Sequence, residues 1–144
     1  MTLPAEGIPG GPAGLVDTVA WVHLRDGLIL GARTRGKELF YIPGGKRHEG
    51  ESDEQTLLRE VEEELTVAVL PESIVHVGTY EAPVGAHAPG LVVRMACYTG
   101  DHRGTLAAAG EIEEIAWLSY ADRDRVPPVD QLVFDDLRAA GELA

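Results

Sequence analysis

Three glutamates, Glu60, Glu63 and Glu64, are spaced i, i+3 and i+4. On an α-helix this spacing gathers their carboxylates into an arc of about 100°. Like charges so close cost an isolated helix roughly a few tenths of a kcal/mol per pair. A cluster kept at that cost suits a cation. Hard divalent ions such as Mg²⁺ take oxygen ligands, and a few carboxylates suffice when water and substrate phosphates complete the shell. Glu60 and Glu64, one turn apart, are the natural pair. Upstream, Glu51 adds a carboxylate, and Gly44-Gly45 lets backbone groups approach an ion or phosphate closely because no Cβ intervenes. Taken alone, Glu62-Glu63-Glu64 also fits a merely solvated helix face.

The element that must carry these carboxylates is a helix. Ser52 suits its N-cap and Gln55 completes a capping box, with Asp53 and Glu54 at the positive end of the dipole. Leu57, Leu58, Val61 and Leu65 form an apolar stripe on another face. Strands are expected at Leu15 to Leu24, Leu28 to Arg33, Leu39 to Ile42, Ile74 to Ala82, Leu91 to Thr99 and Ile115 to Leu118. Asp26-Gly27 is a hairpin turn between the first two. Pro43-Gly44-Gly45 opens a loop that runs to Glu51, and a second helix is expected from Asp130 to Ala140. Strands, helix, strands and helix in that order suggest an α/β domain with a mixed sheet between helices.

A chain of 144 residues with 44% hydrophobic content fits one packed domain. Residues 1–12, with three prolines and no Lys or Arg, read as a flexible leader and not a signal peptide, leaving residues 13–144 as the domain. No apolar run approaches the ~20 residues of a membrane span. The net charge of −12 argues against nucleic-acid polymers and anionic membranes as partners. It does not exclude a phosphate ligand, because a bound cation inverts the local field. Half of that charge lies between Glu51 and Glu64, where seven acidic residues face one basic residue. The single cysteine, Cys97, excludes an intramolecular disulfide and reads as a buried hydrophobe in a reduced, cytoplasmic setting. The five histidines show no zinc-binding spacing.

From Gly45 to Val67 the spacing resembles the Nudix hydrolase signature: Gly, five residues, Glu, seven residues, Arg-Glu, an aliphatic, any residue, Glu-Glu, any residue, Gly, an aliphatic. Here it reads Gly45, Glu51, Arg59-Glu60, Val61, Glu63-Glu64, Thr66, Val67. Thr66 stands where the family has glycine. Because a β-branched residue disfavours a left-handed cap, the helix is expected to end differently or to run straight into a strand at 67–69.

The resemblance implies a Nudix-type α/β/α sandwich with a central mixed β-sheet. It also implies a metal-dependent hydrolase that cleaves a pyrophosphate linkage in a nucleoside diphosphate or triphosphate derivative. Mg²⁺, or Mn²⁺, is the implied cofactor. Glu60 and Glu64 are the implied metal ligands, joined by Glu63 or with Glu63 orienting water, and by the Gly44 carbonyl. Arg59 would fix the cluster by pairing with a carboxylate such as Glu51. Glu60 or Glu63 would serve as general base, with Glu111, Glu113 and Glu114 as later alternatives. Arg33, Lys46 and Arg47 are the candidates for substrate phosphates. Tyr41 and Tyr80 are candidates for stacking on a base, whereas Trp21 and Trp117 fit the core better. The loops Pro83 to Gly90 and Gly100 to Gly110 are expected to set specificity. A homodimer is suggested by resemblance alone. The rival reading is a non-catalytic nucleotide-binding module on the same fold; the presence of every acidic signature position favours an enzyme.

Overall fold

Along β1 (Leu15–Trp21) the side chains alternate between two buried environments. Val19 and Trp21 join one apolar cluster, while Ala20 and the following Val22 join another. A strand buried on both faces needs a covering layer on each side, and the described residues supply two α-helices. The computed structural model describes residues 14–144, so the expected leader at 1–12 lies outside the described residues. After β1 come β2 (Leu24–Arg25), β3 (Leu28–Thr34), β4 (Gly44–Lys46), α1 (Asp53–Leu65) and β5 (Ala68–Val69). Then follow β6 (Val75–Pro83), β7 (Val92–Thr99), β8 (His102–Arg103), β9 (Ile112–Leu118) and α2 (Pro128–Ala139).

The main sheet has four strands in the order β4-β1-β7-β6, with β1 and β7 parallel and the outer pairs antiparallel. A second, antiparallel sheet has the order β2-β3-β9, and β5 pairs with β8. Leu57, Val61 and Leu65 of α1 pack on Val19, Trp21 and Leu30. On the other side Val129, Val133, Phe134 and Leu137 of α2 pack on Ala20, Ile29, Ile42 and Cys97. The expected α/β/α layering with a mixed sheet is therefore present. Among the described residues no helix is long and apolar enough to cross a membrane.

Three expectations need correction. The first strand ends at Trp21; Leu24–Arg25 belongs to the second sheet, where Asp26 (φ 53°) and Gly27 (φ 78°) make the hairpin turn to β3. Leu39 to Ile42 is not a strand: it pairs only through the bridge between Ala32 and Tyr41. The paired strand lies just downstream at Gly44–Lys46, where the sequence reads as a turn. Glycine is required there because a Cβ on Gly44 would sit 2.0 Å from the Val19 carbonyl oxygen. Finally, Thr66 itself adopts the left-handed cap, at φ 63° and ψ 18°. The roughly 1–2 kcal/mol that this conformation costs a residue with a Cβ is opposed by two bonds. The Thr66 N–H donates to the Glu62 carbonyl (3.1 Å) and its hydroxyl to the Thr105 carbonyl (3.0 Å).

Asp130, near the start of α2, is 2% exposed and accepts the Ile42 N–H at 2.8 Å, tying α2 to the segment before β4. Burial pushes its carboxyl up to about 7. The folded chain thus retains a proton that the unfolded chain releases near pH 4, and this contribution to stability is lost as pH rises through 7. Asp130→Asn keeps an acceptor for Ile42 and removes the charge. Thermal melts should show the variant more stable than the parent at pH 8, by on the order of 1–3 kcal/mol, with the gap closing below pH 5. An equal gap at both pH values would refute the assignment.

Candidate active site

The carboxylates are positioned by the C-terminal half of α1, which carries Glu60, Glu63 and Glu64, and by the loop before the helix, which carries Glu51. Ser52 caps the helix in the expected box: its hydroxyl accepts the Gln55 N–H (3.1 Å), and Gln55 Oε1 accepts the Ser52 N–H (2.8 Å). Glu51, just outside the cap, is held from several sides. It accepts the His48 N–H (2.8 Å) and stands 3.0 Å from the Thr56 hydroxyl. The Arg59 Nε and Nη2 grip its two oxygens at 2.8 Å each. This guanidinium fork, first of all, holds the Glu51 carboxyl far below the usual carboxylate range. Thr56, fully buried, escaped the sequence reading; its position one helical turn from the N-cap residue was the available signal.

Arg59 does more than hold Glu51. Its Nη1 donates to Glu60 Oε2 at 2.8 Å and reaches Glu63 Oε1 at 3.4 Å, and its Nη2 donates to the Lys46 carbonyl at 3.2 Å. One guanidinium thus joins the loop, β4 and two of the helix carboxylates. Glu60 is mostly buried, and burial pushes its carboxyl upward against the pull of Arg59. Its carboxylate lies against Gly45, where a Cβ would come within 2.4 Å of Glu60 Cδ. Glu63 is exposed.

Glu64 has no guanidinium partner among the described residues. It accepts the Gly44 N–H at 3.1 Å. Burial above all, then the charges of Glu60, Glu63 and Glu111, push its carboxyl up to about 8 despite that bond. Glu64, Gly44, Gly45 and Lys46 border a cavity of about 480 Å³ whose lining continues over Leu39 and Tyr41.

The remaining candidates divide clearly. Lys46 lines the cavity; Arg33 and Arg47 are not among its lining residues. Arg33 is gripped by Glu113 and Glu114 of β9, and Arg47 by Asp17 and Asp53. Of the later carboxylates, Glu111 is the one whose charge acts on Glu64. Tyr41 lines the cavity, Tyr80 donates its hydroxyl to Asp136, and Trp21 is core. Pro83, Val84 and His87 bring the 83–90 loop to the cavity. The 100–110 loop instead caps α1: the Ala107 and Ala109 N–H groups donate to the Leu65 and Glu64 carbonyls at 3.1 and 2.9 Å.

The donor set suits a hard cation. Glu60 and Glu64 are partly desolvated carboxylates on one helix face, and Arg59, paired with Glu60 and Glu63, compensates only part of the negative charge around Glu64. Among the described residues no three Asp, Glu, His or Cys side chains form a ready ion cage. Mg²⁺ does not demand one, since it commonly keeps water and substrate oxygens in its shell.

The model of the NUDIX domain matches residues 14–137 of this sequence. The chain belongs to the Nudix family. Its fold is similar to that of the E. coli ORF135 protein, with 28% identity, a TM-score of 0.68, and coverage of 90% of this chain and 97% of that one. A Nudix hydrolase from Nitrosomonas europaea is similar at 24% identity and TM-score 0.70, over 87% of this chain and 89% of that one. The E. coli dihydroneopterin triphosphate pyrophosphohydrolase matches at 20% identity and TM-score 0.69, over 86% of this chain and 95% of that one. At these last two identities the likeness concerns the fold. No curated protein matches the sequence. As a Nudix hydrolase the chain is an enzyme, and three of its acidic signature positions, Glu51, Glu60 and Glu63, are gathered around Arg59.

The Nudix glycine Gly45 makes a sharp test. In Gly45→Ala the clashing atoms are the tip of a movable side chain, so the fold should survive with a melting temperature within a few degrees. The Glu60 carboxylate must then move, and hydrolysis should fall at least about 100-fold. Wild-type turnover in this variant would show that the placement of Glu60 against Gly45 is immaterial.

Proposed function

We propose that this Nudix hydrolase cleaves a pyrophosphate linkage in a nucleoside diphosphate or triphosphate derivative, with a divalent cation as cofactor. The observation that carries the reading is Glu64: a partly buried carboxylate among three others, at the edge of a largely apolar cavity. Charge crowding of this kind suits a cation, and the adjoining apolar wall at Leu39 and Tyr41 suits a ring attached to the phosphates.

In this reading Glu60 and Glu64 hold Mg²⁺ or Mn²⁺, with Glu63 and the Gly44 carbonyl as further oxygen donors. When bound, the ion neutralises phosphate oxygens and favours ionisation of water. Water attacks phosphorus; a new P–O bond forms while the bond to the bridging oxygen breaks, and the leaving phosphate carries away the electron pair. Glu63, exposed on the helix, or Glu60 takes the proton of the attacking water. Arg59 keeps Glu60 and Glu51 in register. Lys46 takes a phosphate oxygen. Arg33 and Arg47 contact substrate in this scheme only by leaving their carboxylate partners.

A phosphate-release screen tests this directly. Nucleoside triphosphates, sugar nucleotides, dinucleoside polyphosphates and oxidised nucleotides would each be offered with Mg²⁺ and with Mn²⁺. At least one class should be hydrolysed only with a divalent ion, and Glu64→Gln should lower its turnover by ~10²–10⁴-fold. Full activity in Glu64→Gln, or no cleavage of any member, would contradict the proposal.

A further inference from the structure

The chain contains two lysines, Lys37 and Lys46. Both line the cavity, and the lining includes no arginine. Neither lysine has a carboxylate within 4.0 Å among the described residues, although Arg33, Arg47, Arg59, Arg94, Arg123 and Arg125 each hold one. In a protein with a net charge of −12, two uncommitted ammonium groups at one cavity call for an anionic ligand.

Both lysines are also braced in the same way. The Lys46 carbonyl accepts from Arg59 Nη2 (3.2 Å), and the Lys37 carbonyl accepts from Arg33 Nη1 (3.0 Å). Each bracing arginine is anchored to glutamates, Arg59 to Glu51 and Glu60, Arg33 to Glu113 and Glu114. The Lys37 N–H donates to the Thr34 carbonyl (3.0 Å), closing a turn in which Gly36 has φ 83°. The main chain at each lysine is therefore fixed while its side chain remains free. From Lys37 the chain runs on with alternating sides. Lys37, Leu39 and Tyr41 line the cavity, whereas Phe40 between them enters the core. Leu39 and Tyr41, 38% and 43% exposed, give the wall beside Lys37 an open apolar surface.

Resting on the proposed function, we infer that Lys37 is a second substrate anchor: it binds a phosphate oxygen of a polyphosphate also held by Lys46, with Arg33 as its positioning residue. Lysine suits the task as a point charge on a flexible stem. Two separate cations favour a ligand whose negative charge extends over several phosphates above one bearing a single phosphate.

Binding of inorganic tripolyphosphate, measured by calorimetry with Mg²⁺ present, tests this without turnover. Lys37→Gln should weaken it about tenfold, and Lys37→Arg should stay within about twofold of wild type. Arg33→Gln should weaken it by a smaller factor, and should add nothing in the Lys37→Gln background, a coupling that a purely structural role would not produce. With a nucleotide found to be hydrolysed, Lys37→Gln should raise KM and leave kcat within about threefold. Equal tripolyphosphate binding by wild type and Lys37→Gln, or no binding by wild type, would overturn the inference. The hydrolysis screen decides separately whether the chain is a pyrophosphohydrolase.

Discussion

The guanidinium of Arg59 stands among the carboxylates of Glu51, Glu60 and Glu63, and the loop, β4 and α1 are tied together through it. Its planar fork lets one charge serve several partners at once, which an ammonium could not do with the same geometry. The balance is still negative. A single guanidinium cannot compensate every carboxylate, and Glu64, which it does not reach among the described contacts, has a raised affinity for a proton, first from burial and then from its carboxylate neighbours. A proton and a divalent cation answer the same electrostatic demand. In the proposed function the site would exchange one for the other, and a helix face that is unfavourable in isolation would serve as a socket once the fold fixes it.

The glycines follow from the same constraint. Strand β4 must approach β1 so closely that a Cβ at Gly44 would meet the Val19 carbonyl, and the next residue must leave space for the Glu60 carboxylate. The Gly44 N–H is thereby brought to Glu64, and Lys46 to the cavity. At the other end of α1, the 104–110 loop occupies the free carbonyls and steadies Thr66 in a conformation that a glycine would adopt without strain. Both ends of the helix are consequently fixed, so the carboxylates between them have little freedom to move apart.

Much of this was legible in the residues alone, for physical reasons. The capping box at Ser52 and Gln55 and the stripe of Leu57, Val61 and Leu65 are local, and local patterns survive folding. The gapped acidic motif was legible because helical spacing places Glu60 and Glu64 on one face. Long-range partners were not. Nothing near Arg33 or Arg47 announces that Glu113, Glu114 and Asp17 will claim them, so basic residues that looked free for phosphate are committed elsewhere. Leu39 to Ile42 has the composition of a strand, but it pairs only through one bridge beside the cavity, while two glycines of low strand propensity open the paired strand.

The central claim is that the negative charge around Glu64 is a cation socket. The most direct measurement is the thermal stability of substrate-free protein near pH 8, titrated with Mg²⁺ and with Mn²⁺, for wild type and Glu64→Gln. Binding to the folded chain alone raises stability with ion concentration by mass action. The account predicts that wild type gains stability with either ion. It also predicts that Glu64→Gln starts higher without metal, because its burial carries no charge, and gains far less on titration. A wild-type melting temperature indifferent to both ions, or an equal rise in the variant, would contradict it.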